Sequence, residues 1–219
     1  MSTPQDLLIV AKDLAQPSPP VEQGDLSLAL AGAELLDLLD AQAVTLEEDR
    51  IVPSGPWTPS EGPLGDPASA LVRQQPYESV EDWLWRRGEG LASAYLAVLE
   101  AEGQITRERG RWIPVRTSKT VFADSPARRH AAERWAAGEP VLAALAAAIR
   151  VGEDPVDPVD PVDPVDLADP VAGDGFDGID DESVAAVLAT VSGAVVELDS
   201  VRQRKTVEDA AFDNIWRAP

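Results

Sequence analysis

The chain has 219 residues, no cysteine, one histidine and a formal charge of −21, and 44% of its residues are hydrophobic but only 5% aromatic. That length suits one domain, or one domain with an insert, whose core must be built mostly from Leu, Val and Ala. The missing cysteines exclude disulfides and thiolate metal sites and favour a reducing compartment.

The first element is a short buried segment, DLLIVAK at 6–12. Its five apolar residues in a row are too few for a signal-peptide core. A Pro-rich loop at 16–20 follows. Residues 26–40 read as the clearest helix: Leu28, Leu35, Leu36 and Leu39 fall near 3.6-residue spacing, with Glu34, Asp37 and Asp40 on the opposite, polar side. Residues 44–52 read as a β-hairpin turning near Asp49, and a Gly/Pro-rich loop at 53–67 leads to a short helix near 68–74. Ser79 followed by Asp82 has capping-box spacing ahead of Trp83, Leu84 and Trp85.

Residues 91–102 form a helix stopped by Gly103, and 105–115, with Gly110 at the middle, read as a second hairpin. Ser125-Pro126 opens a helix that ends at Gly138, Ser as the cap and Pro in the first turn. Residues 140–150 are a fully apolar helix, expected at the centre of the fold. After an acidic repeat come two more helices, 182–198 and 206–216. The uncharged run 183–196 is 14 residues long, short of a membrane span. The fold class is therefore mainly α, a helical bundle around a buried apolar helix with two small β-hairpins. A single domain comprises 1–150 and 181–219, interrupted by an insert at 151–180. A cytoplasmic protein is expected.

Charge is unevenly spread. Residues 1–85 carry −12, 86–134 carry +4, 135–150 balance, 151–182 carry −12 and 183–219 carry −1. One basic segment in an acidic chain marks a face for an anionic partner, phospholipid or nucleic acid, or else a mixed solvated surface. His130 stands beside Arg128 and Arg129 with no second histidine or cysteine to complete a metal site or a nucleophile pair. No Gly-rich phosphate loop is present, and Asp174, Asp177, Asp180 and Asp181 lack the alternate-position spacing of a calcium loop. No cofactor, metal or catalytic residue is expected.

Helix followed by hairpin occurs twice, a pattern compatible with a winged-helix nucleic-acid binder. The second unit has Arg86 and Arg87 before its helix and Arg107, Arg109 and Arg111 on its hairpin. Its reading helix, LASAYLAVLEAE at 91–102, carries no Arg, Lys, Asn or Gln with which to reach base edges. That weighs against nucleic acid.

The order of motifs resembles the Golgi phosphoprotein 3 family, bacterial members included. The matching pieces are DLLIVAKD at 6–13, LALAG at 28–32 running into AELLDLL at 33–39, PLGD at 63–66, SVEDWL at 79–84, LAVLEAEG at 96–103, and the helix start at Asp124 and Ser125. The resemblance spans 6–150 well and 181–216 loosely. It implies a helical domain around a central apolar bundle, and a non-enzymatic peripheral adaptor that binds phosphatidylinositol 4-phosphate at a membrane. The family pocket combines a Trp with three Arg. At the matching positions this chain has a loop without an aromatic (16–24), Ala31, Glu89 and Ala92, so the specific lipid pocket reads as degenerate.

The candidates that remain for lipid or anion binding are Arg86, Arg87, Arg107, Arg109, Arg111 and Arg116. Trp112 and Ile113 form the apolar part of a hairpin that in the family serves membrane contact or self-association. Expected partners are an anionic phospholipid surface, bound weakly at the inner membrane face, and a protein partner or second copy at the 105–115 hairpin. A protein-interaction module with no lipid ligand is the third reading. The repeat EDPVDPVDPVDPVDLADP at 153–170 puts Asp before successive Pro, which favours polyproline II and a semi-rigid acidic spacer.

Overall fold

The structure is a computed structural model that describes residues 2–15, 20–55, 67–108, 119–151 and 178–217. It is mainly α with two small antiparallel hairpins. The helices are α1 (Thr3–Ile9), α2 (Gln23–Asp40), α3 (Val80–Gly88), α4 (Leu91–Ala101), α5 (Pro126–Ala136), α6 (Pro140–Ala148) and α7 (Glu182–Arg217). Strands β1 (Val44–Glu47) and β2 (Arg50–Pro53) make one hairpin, β3 (Ile105–Glu108) and β4 (Lys119–Phe122) the other. The acidic repeat and most of the 151–180 insert lie outside the described residues.

The central helix is α2, not the 140–150 segment. It packs on α1, α3, α4, α6 and α7, and every residue from Leu26 to Leu36 is buried. A helix surrounded on all sides must be apolar all round, and the small residues Ala29, Ala31, Gly32 and Ala33 let its neighbours approach. α6 is shorter and buries only Leu142, Ala144, Leu145 and Ala146. A Cβ on Gly32 would stand 2.4 Å from Val191 Cγ2, so the glycine sets the α2–α7 separation.

Burying α2 so completely also buries its acids. Glu34, expected on a polar face, is 1% exposed, and Asp37 is half-buried, leaving Asp40 in solvent. Asp37 accepts from the Thr3 backbone N–H at 3.0 Å. It thereby satisfies one of the donors that the start of α1 leaves unpaired. α1 itself passes into a π-turn, Val10–Leu14.

Several local signals act as the sequence implies. Ser79 accepts from the Asp82 N–H to cap α3, and Ser125 accepts from the Arg128 N–H to cap α5. Gly103 and Gly138 take φ +70° and +63° where α4 and α5 stop. The first hairpin pairs Val44 with Pro53 and turns at Glu48 and Asp49.

Three expectations are corrected. The second hairpin pairs Ile105–Glu108 with Lys119–Phe122 rather than closing within 105–115. Ile105 is buried and Phe122 packs on the same core, so hydrophobic burial selects the later strand. The segment near 68–74 is a single 3-10 turn, Pro67–Ala70. The two C-terminal helices are one, α7, because 199–205 contain neither Gly nor Pro. Thr206 caps nothing there and donates to the Arg202 carbonyl one turn back.

Gly32→Ala should destabilise the fold by about 1–3 kcal/mol through overpacking, with Val191→Ala partly restoring it in the double variant. Urea unfolding checks this. Burial, offset in part by Thr3 and Arg134, raises the Asp37 carboxyl above its ordinary value. An acid raised in the folded state stabilises below its unfolded pKa, and that contribution is lost as pH climbs through the folded value. Asp37→Asn should therefore gain on wild type near neutral pH, and the gain should shrink on acidification toward pH ~4. Thermal melts of both proteins across pH read out the difference.

Candidate functional site

The basic segment 86–134 supplies ten cations, and five of them have described side chains. Arg86 and Arg87 sit in the last turn of α3, a favourable place for positive charge beside the helix C-terminus. Arg86 donates from Nε and Nη2 to the two Glu78 carboxylate oxygens at 2.6 and 2.7 Å, and from Nη2 to the Ala70 carbonyl. Its guanidinium lies 5.4 Å from the centroid of the Trp83 ring.

Arg87 points inward. It grips Glu34 with a fork at 2.6 and 2.9 Å, and the Tyr95 hydroxyl donates to the same carboxylate at 3.0 Å. Glu34 comes from α2, Arg87 from α3 and Tyr95 from α4, so one buried carboxylate draws three helices together. Hydrogen bonding to Glu34 raises Arg87 above its usual value. Burial, and then the Glu34 charge, push Tyr95 well above the usual phenol.

The other described arginines are also committed. Arg128 binds Asp13 at 2.6 Å, Arg129 binds Asp124 at 2.8 Å, and Arg134 bridges Asp6 and Glu139 at 2.7 and 2.8 Å. His130 Nε2 lies 3.5 Å from the Asp6 carboxylate, within the same arrangement. The structure therefore brings Arg86 and Arg87 to neighbouring carboxylates rather than to a shared anion site. The remaining candidates, Arg109, Arg111, Trp112, Ile113 and Arg116, lie outside the described residues. Arg107 belongs to β3, but its side chain is likewise outside them.

Two positions where the resembling family has pocket ligands are packed into the core. Ala31 and Ala92 are fully buried. Trp83 Nε1 donates to the Ala31 carbonyl at 3.0 Å, and the Ala92 N–H donates to Ser27 Oγ at 3.1 Å. Glu89 is exposed and brings the wrong charge for a phosphate. A shallow depression of about 680 Å³ lies elsewhere, lined by Glu47, Glu48, Arg50, Gln75, Pro76 and Tyr77. There Arg50 already donates to the Tyr77 carbonyl and pairs with Asp49, so the lining offers an anion little.

Sequence reasoning missed the Glu34–Arg87–Tyr95 cluster. The available signal was an acid amid the Leu- and Ala-rich stretch of the longest helix before the insert, with an arginine in the last turn of the next helix and a tyrosine midway along the one after. Arg87→Ala should cost about 3–5 kcal/mol by leaving Glu34 buried without its cation. The double replacement Glu34→Leu with Arg87→Met should recover most of that loss. Denaturant midpoints of the single and double variants measure it.

A sequence model of the Golgi phosphoprotein 3 (GPP34) family matches residues 4–215. The comparisons with curated proteins and with solved structures return no match.

Proposed function

Because the chain belongs to the Golgi phosphoprotein 3 family, we propose that it is a non-enzymatic adaptor that rests weakly on anionic lipid without the family's phosphoinositide headgroup site. The observation that carries this reading is the commitment of Arg86 and Arg87 to Glu78 and Glu34. A phosphate needs a bidentate guanidinium that is free to turn toward it. Withdrawing Arg87 from Glu34 would strand a carboxylate that is 1% exposed. Ala31 and Ala92 stand where two further pocket ligands would be, and both are packed into the core.

The lipid-facing role then falls to the segment between β3 and β4. In sequence it places Arg107, Arg109, Arg111 and Arg116 around Trp112 and Ile113. Arginines beside an aromatic and an aliphatic residue suit a charged interface, where each well-placed base contributes about 1 kcal/mol. Such binding reads charge density rather than headgroup stereochemistry. The protein would act in the cytoplasm, peripheral to the inner membrane face.

Co-sedimentation with phosphatidylcholine vesicles of rising phosphatidylserine content should show binding that grows with anionic lipid and falls with salt. Phosphatidylinositol 4-phosphate at matched surface charge should add nothing. The Arg107→Ala, Arg109→Ala, Arg111→Ala triple variant should lose most of the binding. Equal sedimentation of wild type and triple variant sinks the proposal, as does a strong preference for the phosphoinositide.

A further inference from the structure

α7 is longer than its place in the core requires. At 36 residues it runs about 54 Å, and Val187, Leu188, Val191, Ala194 and Val195 close the core near its start. Among the described residues its ion pairs with the body are Arg202 to Asp25 at 2.6 Å and Asp199 to Arg150 at 3.4 Å. From Gln203 to Glu208 every residue is exposed. By length and composition alone residues Glu182–Glu208 are long and apolar enough to cross a membrane, yet only those five of the 27 are buried. The helix is thus more apolar than its core-facing side explains. It cannot leave for a bilayer without pulling those five side chains out of the core.

Three exposed large hydrophobic residues stand on α7: Val196 at 61%, Val201 at 49% and Val207 at 68%. Two of them fall in an ordered row. Ala189, Gly193, Val196, Ser200, Gln203 and Val207 recur at alternating spacings of four and three, are all exposed, and carry no charge. Solvent-facing helix surfaces are ordinarily charged, and an uncharged row at 3.5-residue spacing is the seam by which one helix packs on another. The row itself has no charge for a membrane headgroup, and the charges beside it are of mixed sign, Glu197 and Glu208 with Arg204.

The charges along the seam identify the partner. Glu197 and Arg204 occupy the same flanking position one heptad apart, both are exposed, and neither has an ion pair among the described residues. Asp199, on the other flank, is already held by Arg150 at 3.4 Å. Place a second α7 antiparallel, with Val196 against the partner's Val207 and Ser200 against the partner's Gln203. Glu197 then lies beside the partner's Arg204, and two-fold symmetry repeats the pair. A slip that sets Val196 against the partner's Ser200 puts Glu197 opposite its own copy, so like charge disfavours it. Such flanking charges are what choose orientation and register in paired helices.

We infer that the outer face of α7 is a self-association surface, and that the chain pairs through antiparallel α7 helices of two copies. This surface is separate from the 105–115 hairpin. The inference does not depend on the lipid-binding proposal.

Sedimentation velocity of the full chain at low salt should show a reversible dimer. Val196→Lys with Val207→Lys should give a monomer with unchanged helicity and melting temperature, since both valines are exposed. Glu197→Arg or Arg204→Glu alone should weaken the dimer by roughly tenfold, and the two together should restore it. A wild-type monomer at all accessible concentrations overturns the inference. So does a dimer indifferent to the lysine pair, or a charge exchange that fails to restore it.

Discussion

One carboxylate governs the arrangement. Glu34 sits in a helix buried on every side, where an uncompensated charge is not tolerated. Arg87 and Tyr95 answer it, and they must come from the two helices that follow the first hairpin. Their convergence fixes how α3 and α4 lie across α2. The turn between them takes Gly90 at φ +69°, and Gly88 lets α3 run close over α2, where a Cβ would meet the Ser27 carbonyl at 3.3 Å. The same choice has a functional side. Arg87 is committed to an internal acid, so it could turn toward an anion only by leaving Glu34 buried without its cation.

The charge asymmetry of the sequence also changes meaning in three dimensions. The acid-rich start and the basic middle are joined by the Arg128–Asp13, Arg134–Asp6 and Arg87–Glu34 pairs, and the C-terminal helix adds Arg202–Asp25. These are stitches between distant parts of the chain. Where they are half-buried they select a packing; where they are exposed they add little stability. A positive stretch in sequence is thus not a positive face.

Much of the fold was legible because its signals are local. The Ser79 and Ser125 caps, the stops at Gly103 and Gly138 and the first hairpin depend on residues within a few positions of one another. The family resemblance was legible in the order of such pieces. What escaped depends on distance. Periodicity placed Glu34 on a polar face because nothing nearby reveals that α3 and α4 will cover it. The partner of Ile105 was placed too early because the choice of Phe122 rests on a shared core, not on turn residues. Thr206 resembled a cap because the helix running through it is supported by packing further back. The lysine- and arginine-counting that proposed an anion site could not see that Glu78 and Glu34 would claim two of its members.

The notch at Gly32 has a consequence for synthesis. Its occupant is Val191, which the ribosome adds only after the repeat-bearing insert has been made. Until then α2, the central helix, lacks the cover that α7 supplies, and the native interface between them cannot close. Closure of this core therefore waits for α7, which follows the insert in the chain. A chain truncated before α7 would leave one side of its central helix uncovered, a target for chaperones and proteases.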